Sequence, residues 1–352
     1  MRSHARTFAV LALTGALALT AAGCAASGGS GEKAASGEVT LVVHSSFPNK
    51  EFAKAASKAT GLKVKVVSAG DGGELTNKLV LTKGAPIADA FFGVDQIFAS
   101  RLIDGGITEA YTPKGLPEGA KQLAADDRGS LTAVDYGATC LNIDTGWFAK
   151  HGIAAPTGYD ALTDAKYKDL AVVLDPTASS TGGSFLVGTV AKFGENGFAD
   201  YWKRVAKNGT RVEQGWTEAY NGQFTQGGGT GTRPIVVSYA TSPAWTLTKD
   251  GSATTTAALL DTCSNQVEYA GVLKGAANPE GAKKVVDYLV SREFQDTIAD
   301  SMYMFPVDAG ANVPADWTKF APKPAKPNDL PAAEIGAKRE SWLKTWSTAT
   351  GW

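Results

Sequence analysis

Residues 39–352 predict an α/β fold, on three observations. Short β-rich runs alternate with segments of helical spacing, the order expected of an α/β layer with a parallel sheet. Gly61 and the pair Gly105-Gly106 stand where helical segments end. The composition, 43% hydrophobic and 20% charged, is that of an ordinary globular protein. The stretch is also longer than the ~250–300 residues at which single cores stop growing, so two α/β blocks are expected. Composition alone leaves open whether these are independent domains or two lobes that the chain crosses more than once.

Val39–Val43 opens the fold as a strand. Asn49–Thr60 follows with Phe52, Ala55, Ala56 and Ala59 at helical spacing, and Gly61 stands where a helix C-cap belongs. Lys63–Val67 alternates as a strand, Glu74–Leu81 reads as a helix, Ala88–Phe92 as a buried strand and Gln96–Ile103 as a helix. Thr132–Asn142 is strand-like. The second block comprises the strand Ala171–Leu174, a loop DPTASSTGG, the helices Phe185–Phe193 and Phe198–Lys207, and the strand Ile235–Ser238. Val267–Leu273 is a further strand. The segment 278–302 then reads as one strong helix, with Asn278 as N-cap, Pro279 at its first turn and Val285, Val286, Leu289, Val290 and Ile298 on one face. Pro306–Pro331 is proline-rich and irregular. Ala332–Thr348 closes the chain as a helix whose Trp342 and Trp346 share a face and read as core.

The N-terminus carries Arg2 and Arg6, an apolar run from Phe8 to Ala22, and then Gly23-Cys24, the pattern of an export signal over residues 1–23. The run is too short for a convincing membrane span. Ala21-Ala22-Gly23-Cys24 resembles the lipobox of bacterial lipoproteins, which implies lipidation of Cys24. Alanine stands where that box usually carries leucine. Residues 24–38 are small, polar and Gly/Ser-rich, a tether rather than part of the fold. A formal net charge of −1 gives no case for nucleic-acid binding. If Cys24 carries lipid, Cys140 and Cys263 remain as an even pair in an oxidising compartment, either bridged or present as two buried thiols. Without CxxC spacing or a His/Cys cluster, no metal site is expected.

The most informative stretch is Gly215–Trp245, with GWTEAY and then PIVVSYATSPAW. Trp216, Tyr220, Tyr239 and Trp245 all fall beside loop-forming residues. Such rings either cap a core or line a cleft, where their faces attract flat or cationic ligands. No GxSxG elbow or HExxH occurs; the one SxxK, Ser341 to Lys344, lacks companion motifs, so no enzyme is expected.

These segments, with VTLVVHSSF, ADAFFGVD, DYG at 135–137, DPTASSTGG and the ANPEGAKKVVDYLVSREFQ–MYMFPV run, occur in the order of a known family. The chain resembles the periplasmic thiamine-binding subunits of bacterial ABC transporters, within the type II solute-binding proteins. The resemblance implies a two-lobed fold with ligand in the cleft. Residues 39–136 and 266–310 would form one lobe, 137–265 the other, and 311–352 a C-terminal irregular segment and helix. Cys140 and Cys263 would then lie just past two hinge strands, which strengthens the disulfide reading.

The resemblance places Trp216, Tyr239, Trp245 and Tyr303 at the aromatic positions of the cleft, and His44 where a relative has tyrosine. A histidine there could stack, donate, or be protonated and repel a cation; it could also be a plain strand-end residue. Asp71, Asp95 and Asp135 would face the cleft at strand ends and loops, although Asp71 in GDGGE also reads as a turn and Asp135 as a hinge residue. Ser179, Ser180 and Thr181 precede a helix start, either as an anion site for a phosphate or hydroxyl arm or as an ordinary N-cap. The implied role is capture of thiamine or a phosphate ester, without a cofactor, by a lipid-anchored monomer at the extracytoplasmic face of the cell membrane that serves an ABC permease. The same fold with another ligand (ferric iron, a phosphonate or an amine) is the alternative, although no Tyr-Tyr pair of the iron-binding kind is present.

Overall fold

The computed structural model describes residues 37–352. The expected signal peptide, the lipidated Cys24 and most of the tether lie outside these residues. Glu38, assigned above to the tether, instead opens the first strand opposite Lys63.

The elements run β1 (Glu38–Val43), α1 (Asn49–Thr60), β2 (Lys63–Ser68), α2 (Gly72–Leu81), β3 (Ala90–Asp95), α3 (Ala99–Gly105), β4 (Thr108–Glu109), α4 (Glu118–Gln122), β5 (Thr132–Asp144) and α5 (Thr145–His151). They continue with β6 (Ala171–Leu174), α6 (Ser180–Phe193), α7 (Phe198–Lys207), β7 (Arg211–Glu213), β8 (Ile235–Tyr239), β9 (Thr256–Leu273), α8 (Pro279–Leu289), α9 (Arg292–Met302), β10 (Phe305–Pro306), α10 (Trp317–Phe320) and α11 (Ala332–Thr350).

The main sheet has the strand order β2-β1-β3-β9-β5-β8-β6-β7. It is mixed rather than parallel: β1, β2 and β3 pair in parallel, as do β6, β7 and β8, but β9 runs antiparallel to β3 and β5. Two parallel halves are therefore joined by two long antiparallel strands. β5 and β9 pair over Thr132–Thr139 with Ser264–Ala270 in the first half, and over Leu141–Asp144 with Thr256–Leu259 in the second. Between these stretches the register shifts, four residues of β9 standing against Cys140 alone. Cys140 and Cys263 are joined there by a disulfide, with Cα atoms 4.1 Å apart.

The apolar stripe of α8 and α9 (Val285, Val286, Leu289, Phe294, Ile298) packs with Phe52 of α1 and with Leu41 and Val43 of β1. A second core runs from Phe91 and Phe98 through Leu141 and Val173 to Trp202 of α7. Trp342 and Trp346 of α11 are buried in it, as expected. α11 touches both α7 and α3.

Local chemistry explains where the elements depart from expectation. The single helix expected over 278–302 is two, because Ser291 takes extended backbone and its hydroxyl accepts from Phe294 N, capping α9. α2 begins at Gly72 because the Asp71 side chain accepts from Gly72 N. α6 begins at Ser180, five residues early, because Ser179 supplies the cap. Residues 96–98 are a turn rather than helix: Asp95 Oδ1 accepts from Ile97 N and Phe98 N at 2.7 and 3.3 Å. β9 is far longer than the expected Val267–Leu273: its first part carries Ala257, Ala258, Asp261 and Asn265, residues of low strand propensity, and pairing with β5 holds it extended.

Candidate functional site

The site forms where the two halves meet. Glu268 of β9 lies in register with Asp95 of β3 on one side and Asp135 of β5 on the other. Residues in register across neighbouring strands point to the same face, so the three carboxyls form a row at strand spacing. All three are almost entirely buried. Asp95 therefore ends a strand as expected, whereas Asp135 sits inside β5 rather than at a strand end or in a loop.

Burial sets their electrostatics. It pushes the Asp95 carboxyl up to about 7 and the Glu268 carboxyl, next to Asp95 and Asp71, up to about 8. Asp135 is held well above the usual carboxylate range by burial and then by the charge of Glu268. Both oxygens of Asp135, Oε2 of Glu268 and Oδ2 of Asp95 are buried without a hydrogen-bond partner. Glu268 Oε1 accepts from Gln266 Nε2 at 3.0 Å.

His44 follows β1, its Nε2 3.8 Å from Glu268 Oε2, with its ring against Phe47 and Phe92. Burial lowers its pKa to about 4, so the imidazole is neutral at pH 7 and does not repel a cation. Gly93 makes the room for it. Its φ is +98°, and a Cβ there would stand 2.2 Å from His44 Cδ2.

The aromatic wall comes from the second half and from the end of α9. Trp216 stacks on Tyr220 at 4.9 Å and 11°, and faces Tyr239 at 6.0 Å and Tyr303 at 6.2 Å. Its indole Nε1 donates to Ser238 Oγ at 2.9 Å, which fixes the ring. Tyr303 is a non-glycine residue in the left-handed region, with φ 61°. Its carbonyl accepts from Thr241 Oγ1 and its ring is thereby turned toward Trp216. Trp245 meets Tyr303 edge-on at 4.2 Å but is 42% exposed, so it stands at the rim rather than in the wall. Burial and then the Glu268 charge hold the Tyr239 phenol neutral.

Asp71 joins the halves. As the cap of α2 it also accepts from Trp216 N at 3.1 Å across the site. Burial raises its pKa, against the hydrogen bonds it receives. Nearby, Gly73 N and Glu74 N donate to the Ala178 carbonyl at 2.9 and 3.3 Å, and Ser46 meets Thr217 at 3.3 Å. Ser179, Ser180 and Thr181 form the start of α6, buried in this seam. Ser179 Oγ lies 3.0 Å from Thr181 Oγ1 and accepts from Gly182 N, while Ser180 Oγ is buried without a partner. They are thus the cap and first turn of a helix that packs beside Asp71, not an open loop.

Ten of the eleven expected ligand-binding residues line this seam or its row of carboxyls, with Trp245 at the rim. Sequence reasoning missed Glu268 and its support Gln266. The available signal was a charged residue within the apolar run VEYAGVL. Among the described residues, no group of three or more His, Cys, Asp and Glu is disposed to hold a metal ion, and no helix is long and apolar enough to cross a membrane. Carboxyls beside aromatic faces, with no basic residue in the row, make a seat for an organic cation.

Two parallel α/β halves bridged by crossing strands, with the polar and aromatic groups gathered at the seam, define the type II fold of periplasmic binding proteins. The chain belongs to the bacterial extracellular solute-binding protein family, whose pattern matches residues 85–335. It is 28% identical over 322 residues to the thiamine-binding periplasmic protein of Escherichia coli K12, covering 88% of this chain and 93% of that one. Among solved structures, a periplasmic thiamin binding protein superposes with a TM-score of 0.75 at 24% identity, covering 89% of this chain and 96% of that one. Iron-bound HitA from Pseudomonas aeruginosa shares the fold at a TM-score of 0.67 and 19% identity, covering 89% and 99%.

Proposed function

We propose that this protein captures thiamine, or a phosphate ester of it, outside the cytoplasm and delivers it to an ABC permease without catalysing a reaction. The observation that carries the reading is the row Asp95–Glu268–Asp135 next to Tyr239, whose ring faces Trp216 and through it Tyr303. Thiamine pairs a permanently cationic thiazolium with a flat aminopyrimidine. Aromatic faces attract the cation by about 0.5–2 kcal/mol each, and carboxyls suit both the cation and the pyrimidine N–H groups. The names of the similar proteins point the same way. The hydroxyls of Ser179, Ser180 and Thr181 are the groups we assign to the ligand's arm. Asp71 beside them weighs toward a free hydroxyl over a phosphate.

In this reading residues 39–136 with 266–310 form one lobe and 137–265 the other, followed by the 311–352 segment. Ligand bridging both lobes favours the closed form that the permease recognises. Cys24 carries the lipid anchor, and the protein acts as a monomer with no cofactor. Calorimetric titration of ligand-stripped, folded protein with thiamine, its monophosphate and its diphosphate tests the reading. Sub-micromolar binding with a tryptophan fluorescence change is expected. No heat from any of the three refutes the ligand while leaving the fold.

A further inference from the structure

We propose that Glu268, flanked by Asp95 and Asp135, is a proton-exchanging cation site: the empty protein keeps protons on this row, and an arriving organic cation expels one to solvent. The proposal rests on the cationic ligand argued above. One proton leaves as one positive charge enters, so the net charge of the buried row changes little.

Geometry carries the argument. Three carboxyls in register on adjacent strands cannot all ionise in a buried seam without a counter-charge. The groups that face the row supply none apart from Arg339, which acts on Asp95. His44 after β1 is neutral, Tyr239 at the end of β8 is an un-ionised phenol, and Asp71 at the cap of α2 is a fourth carboxyl. Glu218, beside Gly215, adds another acid near Asp71. From β9 itself come only Gln266 and Tyr269. Arg339 of α11 is the basic group that acts on Asp95, but it lies over the Phe98 ring and pairs with Glu340. The raised carboxyls of Glu268 and Asp95 agree with protons held near neutral pH.

The test is calorimetry with thiamine in buffers of different ionisation enthalpy, over about pH 6–9, with infrared detection of protonated carboxyls in the free protein. Wild type should release close to one proton per ligand near pH 7. Its affinity should rise by up to about tenfold per pH unit and level off above about 8. Glu268→Gln should cut the release by at least about half, flatten the profile and remove a protonated-carboxyl band. Asp135→Asn, checked for folding by circular dichroism, provides the second variant should Glu268→Gln not fold. Thiamine binding without proton exchange, or a free protein with every carboxyl ionised at pH 6, overturns the proposal and leaves the function standing. Absence of binding overturns the functional reading, and the cation role with it.

Discussion

Gly73→Ala should hold the protein open. A Cβ on Gly73 would stand 2.4 Å from the Thr177 carbonyl oxygen and 2.8 Å from that of Ala178. Both are backbone atoms and cannot rotate away. Reaching even the 3.0 Å floor of real Cβ contacts requires a shift of at least about 0.6 Å. That stretches the Gly73 and Glu74 bonds to Ala178 O from 2.9 and 3.3 Å to about 3.5 and 3.9 Å, beyond useful hydrogen-bond range. Two such bonds are worth about 1–3 kcal/mol net, or roughly a 5- to 150-fold loss of affinity if the closed seam is the binding form. Phe98 Cζ, in the same half, would also stand 2.8 Å from that Cβ, so the open form should lose some thermal stability against the about 1 kcal/mol by which alanine is better than glycine within a helix. Titration with thiamine measures the affinity, and small-angle scattering with saturating ligand reports closure. Unchanged affinity with full closure would show that the contact between α2 and the 175–179 loop plays no part in binding.

Trp216→Ala should weaken thiamine binding more than tenfold, by about 1.4 kcal/mol or more, without loss of fold; unchanged affinity removes Trp216 from the site. Trp216→Phe keeps a ring but loses the bond to Ser238 Oγ, and titration should place it between wild type and alanine. Cys140→Ser with Cys263→Ser removes a bridge spanning 123 residues and should cost about 2–4 kcal/mol in denaturant unfolding; an unchanged midpoint would deny the bridge a stabilising role. Glu268 and Asp95 bind protons more tightly folded than unfolded, so the ligand-free protein should lose stability as pH rises from the ordinary carboxylate range to about 8, and no further above it. Melting temperature against pH checks this, and an opposite slope over that range would refute it.

Local chemistry made most of the fold readable. Asn278 and Pro279 mark the start of α8, and Gly61 ends α1 in the left-handed conformation the sequence called for. The break at Ser291 was local but masked, because Val290 carries on the apolar spacing of α8 up to the Ser291 cap. What else the chain concealed was tertiary. The mixed sheet escaped prediction because strand direction is set by β9, half of which has no strong strand pattern. In the site, Trp216 and Tyr239 were legible because they sit beside turn residues, whereas Tyr303 was placed by the resemblance alone. Glu268 was not, because its significance lies in two neighbours, Asp95 and Asp135, that only strand register brings beside it.

The register shift between Thr139 and Leu141 has a mechanical consequence. A continuous ladder over Thr132–Asp144 would be a stiff plank, transmitting bending and local unfolding along its whole length. Interrupted at Cys140, it becomes two short ladders riveted at a single covalent point. In native-state hydrogen exchange the amides of 132–139 with 264–270 should therefore open as one unit and those of 141–144 with 256–259 as another. With the disulfide intact, β5 and β9 cannot slide past each other, so the connection between the halves can flex like a wrist without slipping its register.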